Sequence, residues 1–335
     1  MRIGINGLGR IGRGFLRRTL GDPGIEVAAV NDVAGPPILA HLMKHDSLYG
    51  RLDAEVEARD GALSIGGRTI PCTGESEPGA IPWQRAGVDI VLECTGRFAA
   101  RAQAAGHLRG GARRVVISAP SPDADFTVCM GVNEAALDAE RHTVVSNASC
   151  TTNAVAVLLD VAVRAFGVER AAMTTIHCVT NNQALVDAPH PDPRRARGAL
   201  PSMIPTTTSA AEAVVEVLPG LRGRLHALAV RVPVTGVSLV DLTVGLTRSA
   251  SIDEARAAYR DAARERLAGI LGYCDEPLVS ADFLGDRHSA VVDGPLLAIE
   301  GDRWLKLYAW YDNECGYVER LADLVRLMAR KGARG

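Results

Sequence analysis

The hexapeptide Gly7-Leu8-Gly9-Arg10-Ile11-Gly12 follows a strand-like opening, Arg2-Ile3-Gly4-Ile5-Asn6, and leads straight into a helical pattern over residues 11–20. Glycines at this spacing permit a tight strand-to-helix turn, leave the backbone open to a pyrophosphate and let helix and strand approach closely. The N–H groups at the helix start then offer donors to phosphate oxygens. A pattern of this kind also fits a plain turn, so the dinucleotide reading leans on a second feature. Asp32 lies twenty positions beyond Gly12, at the end of the next apolar strand. A carboxylate there accepts both ribose hydroxyls of NAD and repels the extra phosphate of NADP.

The alternation that begins with this motif continues through the first half. Strand-like Glu26–Asn31 is followed by helical Pro36–Lys44 and by short β-branched runs at 88–93, 115–118 and 143–146. Such runs suit strands buried on both faces, and the rhythm predicts a Rossmann-type doubly wound parallel sheet over residues 1–149. Farther on, the segments 172–177, 228–231, Ser238–Leu246 and Trp304–Tyr311 are longer and more widely spaced. They predict an α+β domain over 150–317 with a largely antiparallel sheet and helices on one face. Residues 187–205 mix prolines, arginines and small residues without a period and read as a long ordered loop, a kind that usually carries function. Leu321, Leu324, Val325, Leu327 and Met328 recur at helical spacing, so a C-terminal helix within 318–335 is expected to pack back on the first domain.

Composition narrows the classes. With 335 residues and 47% hydrophobic content the chain can build two cores. A formal net charge of −2 supplies no general basic field, so neither nucleic acid nor an anionic membrane is expected as partner. No apolar run approaches the roughly 18 residues that cross a bilayer, and the chain starts on a strand instead of a signal peptide, which predicts a cytoplasmic location. Seven cysteines, an odd number with no Cys-x-x-Cys spacing, fit reduced thiols and no metal site.

One of those thiols stands apart. Ser146-Asn147-Ala148-Ser149-Cys150-Thr151-Thr152-Asn153 lies between a strand and the apolar run 154–166, so Ser149 reads as an N-cap and Cys150 falls in the first helical turn. The helix start lowers a thiol pKa by stabilising the thiolate. Many free cysteines are nonetheless inert core residues, and a nucleophile needs a base. His177, at the end of a strand-like run, is the candidate, able to hold the thiolate and to move a proton at the substrate oxygen. From spacing alone the choice between such a base and a hydrogen-bonded core histidine stays open.

The segment Ser149-Cys150-Thr151-Thr152-Asn153 resembles the active-site signature of the glyceraldehyde-3-phosphate dehydrogenase family. The resemblance extends through Gly4-Ile5-Asn6-Gly7, Lys44-His45-Asp46-Ser47, Glu93-Cys94-Thr95-Gly96, Val186-Asp187-Ala188-Pro189-His190 and Trp310-Tyr311-Asp312-Asn313-Glu314, covering essentially the whole chain. It implies covalent catalysis. The Cys150 thiolate attacks an aldehyde, His177 and a backbone N–H stabilise the oxyanion, NAD takes the hydride, and inorganic phosphate attacks the resulting thioester to release an acyl phosphate. It also implies a substrate-phosphate site at Thr180 and Arg231, and a second anion site at Ser149, Thr151, Thr208 and Ser209 with Arg195 nearby. Around NAD it implies Gly7, Gly9, Arg10, Ile11, Gly12, Asp32, Thr95 and Ser118, with Asn313 on the nicotinamide carboxamide and Tyr317 close by. Pro189 matches the NAD-specific branch. A homotetramer is implied as well, with Arg194 and Arg197 as solvated loop charges near an interface.

Several positions depart from the family pattern. Ser209 stands where glycine is usual, Asn182 where aspartate is common, and Cys178-Val179 where a small residue and tyrosine follow the histidine. Cys315 replaces a nearly universal tryptophan, Ser121-Pro122-Asp123 lacks the usual lysine, and Val234-Thr235-Gly236 replaces Thr-Pro-Asn. These leave open a specialised paralogue of secondary metabolism or inhibitor resistance, or a dehydrogenase of another phosphorylated aldehyde such as erythrose 4-phosphate. A catalytically idle NAD- or RNA-binding protein is the alternative from another class, and intact Cys150, His177 and Arg231 argue against it.

Overall fold

The computed structural model describes residues 1–332; positions 333–335, the end of the expected C-terminal helix, lie outside the described residues. The chain divides into two compact units, one made of Met1–Val128, Glu134–Ala148 and the chain from Val318, the other of Cys129–Asn133 and Ser149–Tyr317.

In the first unit the strands run in the spatial order Val56–Arg59, Ala62–Ile65, Arg68–Thr73, Glu26–Asn31, Arg2–Asn6, Ile90–Glu93, Arg114–Ile117, Val144–Ser146, Phe126–Thr127. The first two steps are antiparallel and every later one is parallel. Ile3, Ile5, Ile90, Val91, Leu92, Val115 and Val116 are all fully buried, which is why these strands read as unbroken apolar runs without alternation. Chain order reverses at Arg2–Asn6, which pairs with Glu26–Asn31 on one side and Ile90–Glu93 on the other. A doubly wound sheet opens its ligand crevice at the carboxyl ends of strands at such a reversal. From Val318 the helix Cys315–Gly332 belongs to this unit: Arg18 grips the Glu319 carboxylate with both nitrogens, Arg326 reaches Asp22 at 2.7 Å, and Leu321, Leu324, Val325 and Met328 are fully buried.

The second unit is built on a sheet in the order Ile204–Thr206, Leu225–Arg231, Val168–His177, Ser238–Leu246, Trp304–Tyr311, Ala290–Asp293, Leu271–Cys274. It is largely antiparallel, as expected, with two parallel pairings. Val168–His177 pairs in parallel with Leu225–Arg231, as does Leu271–Cys274 with Ala290–Asp293, while the other pairings are antiparallel. Between the first parallel pair the chain crosses over through the loop, the strand Ile204–Thr206 and the helix Ala210–Val217, as a parallel connection requires. Burial alternates strictly along Ser238–Leu246 and nearly so along Trp304–Tyr311, giving each strand one core face. The helix Cys150–Phe166 is buried almost all round within that core from Thr151 on, while Ser149 and Cys150 at its start are half-buried.

Cys129–Asn133 falls inside the stretch expected to form the first domain, yet it groups with the second unit. The reason is local: Arg266 donates to the Gly131 carbonyl at 2.9 Å, and a Cβ on Gly131 would sit 2.6 Å from Leu267 and 3.1 Å from Ile270. Gly131 also has φ of +84°, a left-handed conformation that penalises any side chain. Gly131→Ala is therefore expected to destabilise the protein by about 1–2 kcal/mol, read as a lower midpoint in denaturant unfolding with an unchanged m value; an unaltered midpoint would contradict the close packing. Among the described residues no helix is long and apolar enough to cross a membrane.

Candidate active site

Within the first unit, Gly7, Asp32, Thr95 and Ser118 each follow the carboxyl end of a central parallel strand, with Gly9, Arg10, Ile11 and Gly12 continuing the turn. A Cβ on Gly12 would stand 2.1 Å from the Gly7 carbonyl, and one on Gly7 would meet Thr95 at 2.9 Å, whereas Gly9 has nothing within 4 Å. Two glycines therefore close the turn and the third leaves it open toward a ligand, which is the division of labour a pyrophosphate site needs. The Asp32 carboxylate accepts the Leu8 N–H at 2.7 Å and the Ala34 N–H at 2.9 Å, so it is fixed beside the glycine turn with further lone pairs to offer. Arg10 is paired to Asp46 at 2.6 Å.

Beneath this turn runs a polar chain that no motif announces. One Glu93 oxygen accepts the Thr95 N–H (2.8 Å) and its hydroxyl; the other accepts the Asn6 amide (2.6 Å) and lies 2.9 Å from His107 Nε2. The Trp83 indole donates to His107 Nδ1 at 3.0 Å, so Nε2 carries the proton that faces Glu93. Asn31 links Asn6 to Thr73 and the Glu75 backbone. Glu93, His107, Asn6 and Asn31 are at most 2% exposed, and their mutual bonds hold the ends of three neighbouring strands in register.

In the second unit, Ser149 caps the helix Cys150–Phe166 by accepting the Thr152 N–H at 3.0 Å. Cys150 is its first residue, and its Sγ lies 3.7 Å from Nε2 of His177. His177 ends the strand Val168–His177 and is paired in register with Arg231, the last residue of Leu225–Arg231. Nδ1 of His177 lies 2.8 Å from the Cys178 carbonyl, which only accepts, and 2.5 Å from an Arg231 nitrogen, which only donates; the Nδ1–H tautomer that serves the carbonyl is the one that turns the Nε2 lone pair to the thiol. Arg231 donates to the same carbonyl at 3.1 Å and touches the imidazole.

Electrostatics explain why these groups act together. Burial pushes the lone Cys150 thiol above its ordinary value, against the pull of the Arg231 charge and of bonds at the helix start. The helix start alone thus does not produce the lowered thiol expected from sequence, because desolvation outweighs it. Burial, and then the Arg231 charge, push His177 down to about 3. Each ion by itself is disfavoured. Moving the proton from Sγ to Nε2 creates no net charge, however, and leaves the thiolate at the positive end of a helix.

Tyr311 completes the arrangement and was not singled out from sequence. Its hydroxyl sits 2.9 Å from Thr151 Oγ1 and 2.7 Å from Thr175 Oγ1, and its ring meets that of His177 edge-on at 5.9 Å. Thr151, expected to offer its hydroxyl to an anion, is 5% exposed and its hydroxyl lies 2.9 Å from that of Tyr311. Thr180 gives both its N–H and its hydroxyl to Gln183 Oε1, each at 2.9 Å, a second partner that sequence reasoning passed over. Arg195 donates to Thr206 Oγ1 at 2.8 Å and is tied to the Thr207 carbonyl at 3.3 Å, beside Thr208 and the exposed Ser209 that precedes the helix Ala210–Val217. Since Ile204 pairs with Arg231, one end of the sheet carries the thiol, the imidazole and two arginines. Asn313 accepts from the Cys178 thiol at 2.9 Å; Tyr317 is buried in the helix Cys315–Gly332; Arg197 pairs with Asp187 on the exposed loop.

A dinucleotide crevice in one unit and a thiol–imidazole pair flanked by guanidinium groups in the other define a nucleotide-dependent enzyme of covalent thiol chemistry. Residues 1–101 match the model of the glyceraldehyde 3-phosphate dehydrogenase NAD binding domain, and residues 149–313 that of the C-terminal domain. Across 332 residues the chain is 47% identical to glyceraldehyde-3-phosphate dehydrogenase 1 of Bacillus subtilis and 48% identical to the enzyme of Geobacillus stearothermophilus, covering 99% of both chains in each case. It is 49% identical over 329 residues, 98% of both chains, to glyceraldehyde-3-phosphate dehydrogenase 2 of Streptomyces arenae. The chain belongs to the glyceraldehyde 3-phosphate dehydrogenase family, and NAD is its cofactor.

Because burial and then the Arg231 charge hold His177 down, Arg231→Leu made in a Cys150→Ser background is expected to raise the His177 pKa part of the way from about 3 toward the ordinary range. An NMR titration of the imidazole reads this directly, and an unmoved midpoint would remove Arg231 from the account.

Proposed function

We propose that this protein oxidises D-glyceraldehyde 3-phosphate to 1,3-bisphosphoglycerate with NAD and inorganic phosphate, through a thioester on Cys150. The observation that carries the reading is the 3.7 Å approach of Cys150 Sγ to His177 Nε2 with Arg231 on the adjoining rung of the sheet. In this reading the substrate's own phosphate sits on Arg231 and Thr180, a planar guanidinium being suited to a phosphate oxyanion pair. An anion on Arg231 also offsets the charge that depresses His177, so substrate binding itself makes Nε2 a better base.

The thiol proton passes to Nε2 as Sγ attacks the aldehyde carbon. The imidazolium N–H and a backbone N–H then stabilise the oxyanion, the imidazolium gives it the proton to form a hydroxyl, and Nε2 takes that proton back as the C–H hydride leaves and the carbonyl re-forms. NAD, held by Gly7, Gly9, Arg10, Ile11, Gly12, Asp32, Thr95 and Ser118 with Asn313 on its carboxamide and Tyr317 nearby, supplies the hydride acceptor. Inorganic phosphate, held near Ser149, Thr151, Thr208, Ser209 and Arg195, attacks the thioester carbon, and the acyl phosphate leaves as the C–S bond breaks. Asp32 opposes the extra phosphate of NADP. We assign residues 1–149 with the C-terminal helix to NAD binding and 150–317 to catalysis.

Self-association, as a homotetramer by family resemblance, is supported by Leu185, Val186, Leu200 and Met203, which stand 62–74% exposed on one loop. A cytoplasmic location fits the absence of any long apolar helix among the described residues.

NADH formation by purified protein, with and without inorganic phosphate, checks the reaction. Rapid turnover of glyceraldehyde 3-phosphate that needs phosphate and falls about a thousandfold or more in Cys150→Ser is expected. Faster turnover of erythrose 4-phosphate would reassign the substrate, and phosphate-independent NADH formation would reassign the acceptor.

A further inference from the structure

Cys178 follows the histidine, is 1% exposed and takes no part in the chemistry above. Its three polar groups nevertheless all reach functional partners. The carbonyl accepts from His177 and Arg231, the N–H donates to Ser238 Oγ at 3.2 Å, and the thiol donates to Asn313 Oδ1 at 2.9 Å. Ser238 Oγ, on a fully buried residue, stands 3.5 Å from the same Oδ1. Two donors thus converge on one end of the Asn313 amide. As the amide stands, Oδ1 accepts from both; turned over, its N–H groups would meet a hydroxyl and a sulfur that is only a weak acceptor, so the thiol favours Oδ1 inward and Nδ2 outward.

The geometry points to Cys178 as a positioning residue for NAD: its thiol fixes the orientation of the Asn313 amide, so that Nδ2 presents a donor to the carbonyl oxygen of the nicotinamide carboxamide. This rests on the reading of Asn313 as the carboxamide partner. Burial pushes the Cys178 thiol up to about 12, so it remains a donor across the working pH range. The departure from the family pattern at this position therefore supplies a hydrogen bond. Cys315, the other unusual thiol near Asn313 in sequence, is committed elsewhere, donating to the Gly285 carbonyl at 3.2 Å.

Calorimetric dissociation constants for NAD and for its thionicotinamide analogue, whose sulfur accepts hydrogen bonds weakly, test the proposal. Losing one neutral hydrogen bond is expected to weaken NAD binding about fivefold in Cys178→Ala and to narrow the preference for NAD over the analogue. Cys178→Ser, which keeps a donor, should restore both to within about twofold. Because the preference is a ratio of two constants on one preparation, partial misfolding does not change it. In an Asn313→Ala background, Cys178→Ala should have no further effect. Loss of preference in Asn313→Ala but not in Cys178→Ala would overturn the proposal while sparing the Asn313 reading. An unchanged preference in Asn313→Ala would overturn both, and an undiminished Cys178→Ala effect in that background would show that the thiol acts by another route.

Discussion

The rung of parallel sheet that sets His177 beside Arg231 is the contact on which the catalytic unit depends. Parallel strands end together, so a base and a cation sit side by side at one edge of the sheet. The helix that starts at Cys150 brings a thiol to the same edge. Burial penalises each charge alone, and the fold answers by making charge appear only in company. On the proposed reading the thiolate forms only together with the imidazolium, an anion on Arg231 favours that imidazolium, and the helix start favours negative charge on the sulfur. The rest of the unit keeps that edge rigid. Tyr311 bridges Thr151 on the helix to Thr175 on the strand, so helix and sheet cannot slide without breaking two buried hydrogen bonds.

The same logic shapes the nucleotide unit. Its glycines remove atoms where the backbone must fold back on itself, and Asp32 holds the turn from the neighbouring strand. Glu93, with four donors around it, keeps the strands beneath at matching heights. A buried carboxylate without those partners would be costly, which makes the network cooperative.

Much of this was legible in the sequence because it is local. The glycine turn, the strand before it and Asp32 belong to one βαβ unit, and Ser149 and Cys150 fall at the visible junction between a strand and an apolar helix. The remainder depends on register between distant segments. Nothing near Tyr311 announces two threonines, nothing near Thr180 shows that its hydroxyl meets Gln183, and Glu93 meets His107 and Asn6 only after the sheet is assembled. The largely antiparallel second sheet was legible, but its two parallel pairings were not, since strand composition does not reveal direction. Burial of Cys150 was also invisible, so the effect of the helix start was overvalued. Of the departures from the family pattern, Cys178 acquires a physical account through Asn313, while nothing in the structure explains Asn182.

On the proposed reading, neutral-pH reactivity at Cys150 belongs to the thiol–imidazole pair and not to the thiol alone. The rate of Cys150 alkylation by iodoacetamide, followed across pH by mass spectrometry of its peptide in the wild type and in His177→Asn, tests it most directly. Alkylation that persists at neutral pH in the wild type but shifts to markedly higher pH in His177→Asn is the expected result, because burial then acts on the thiol unopposed. Superimposable profiles would contradict the claim and place the activation of Cys150 in the helix start or in Arg231.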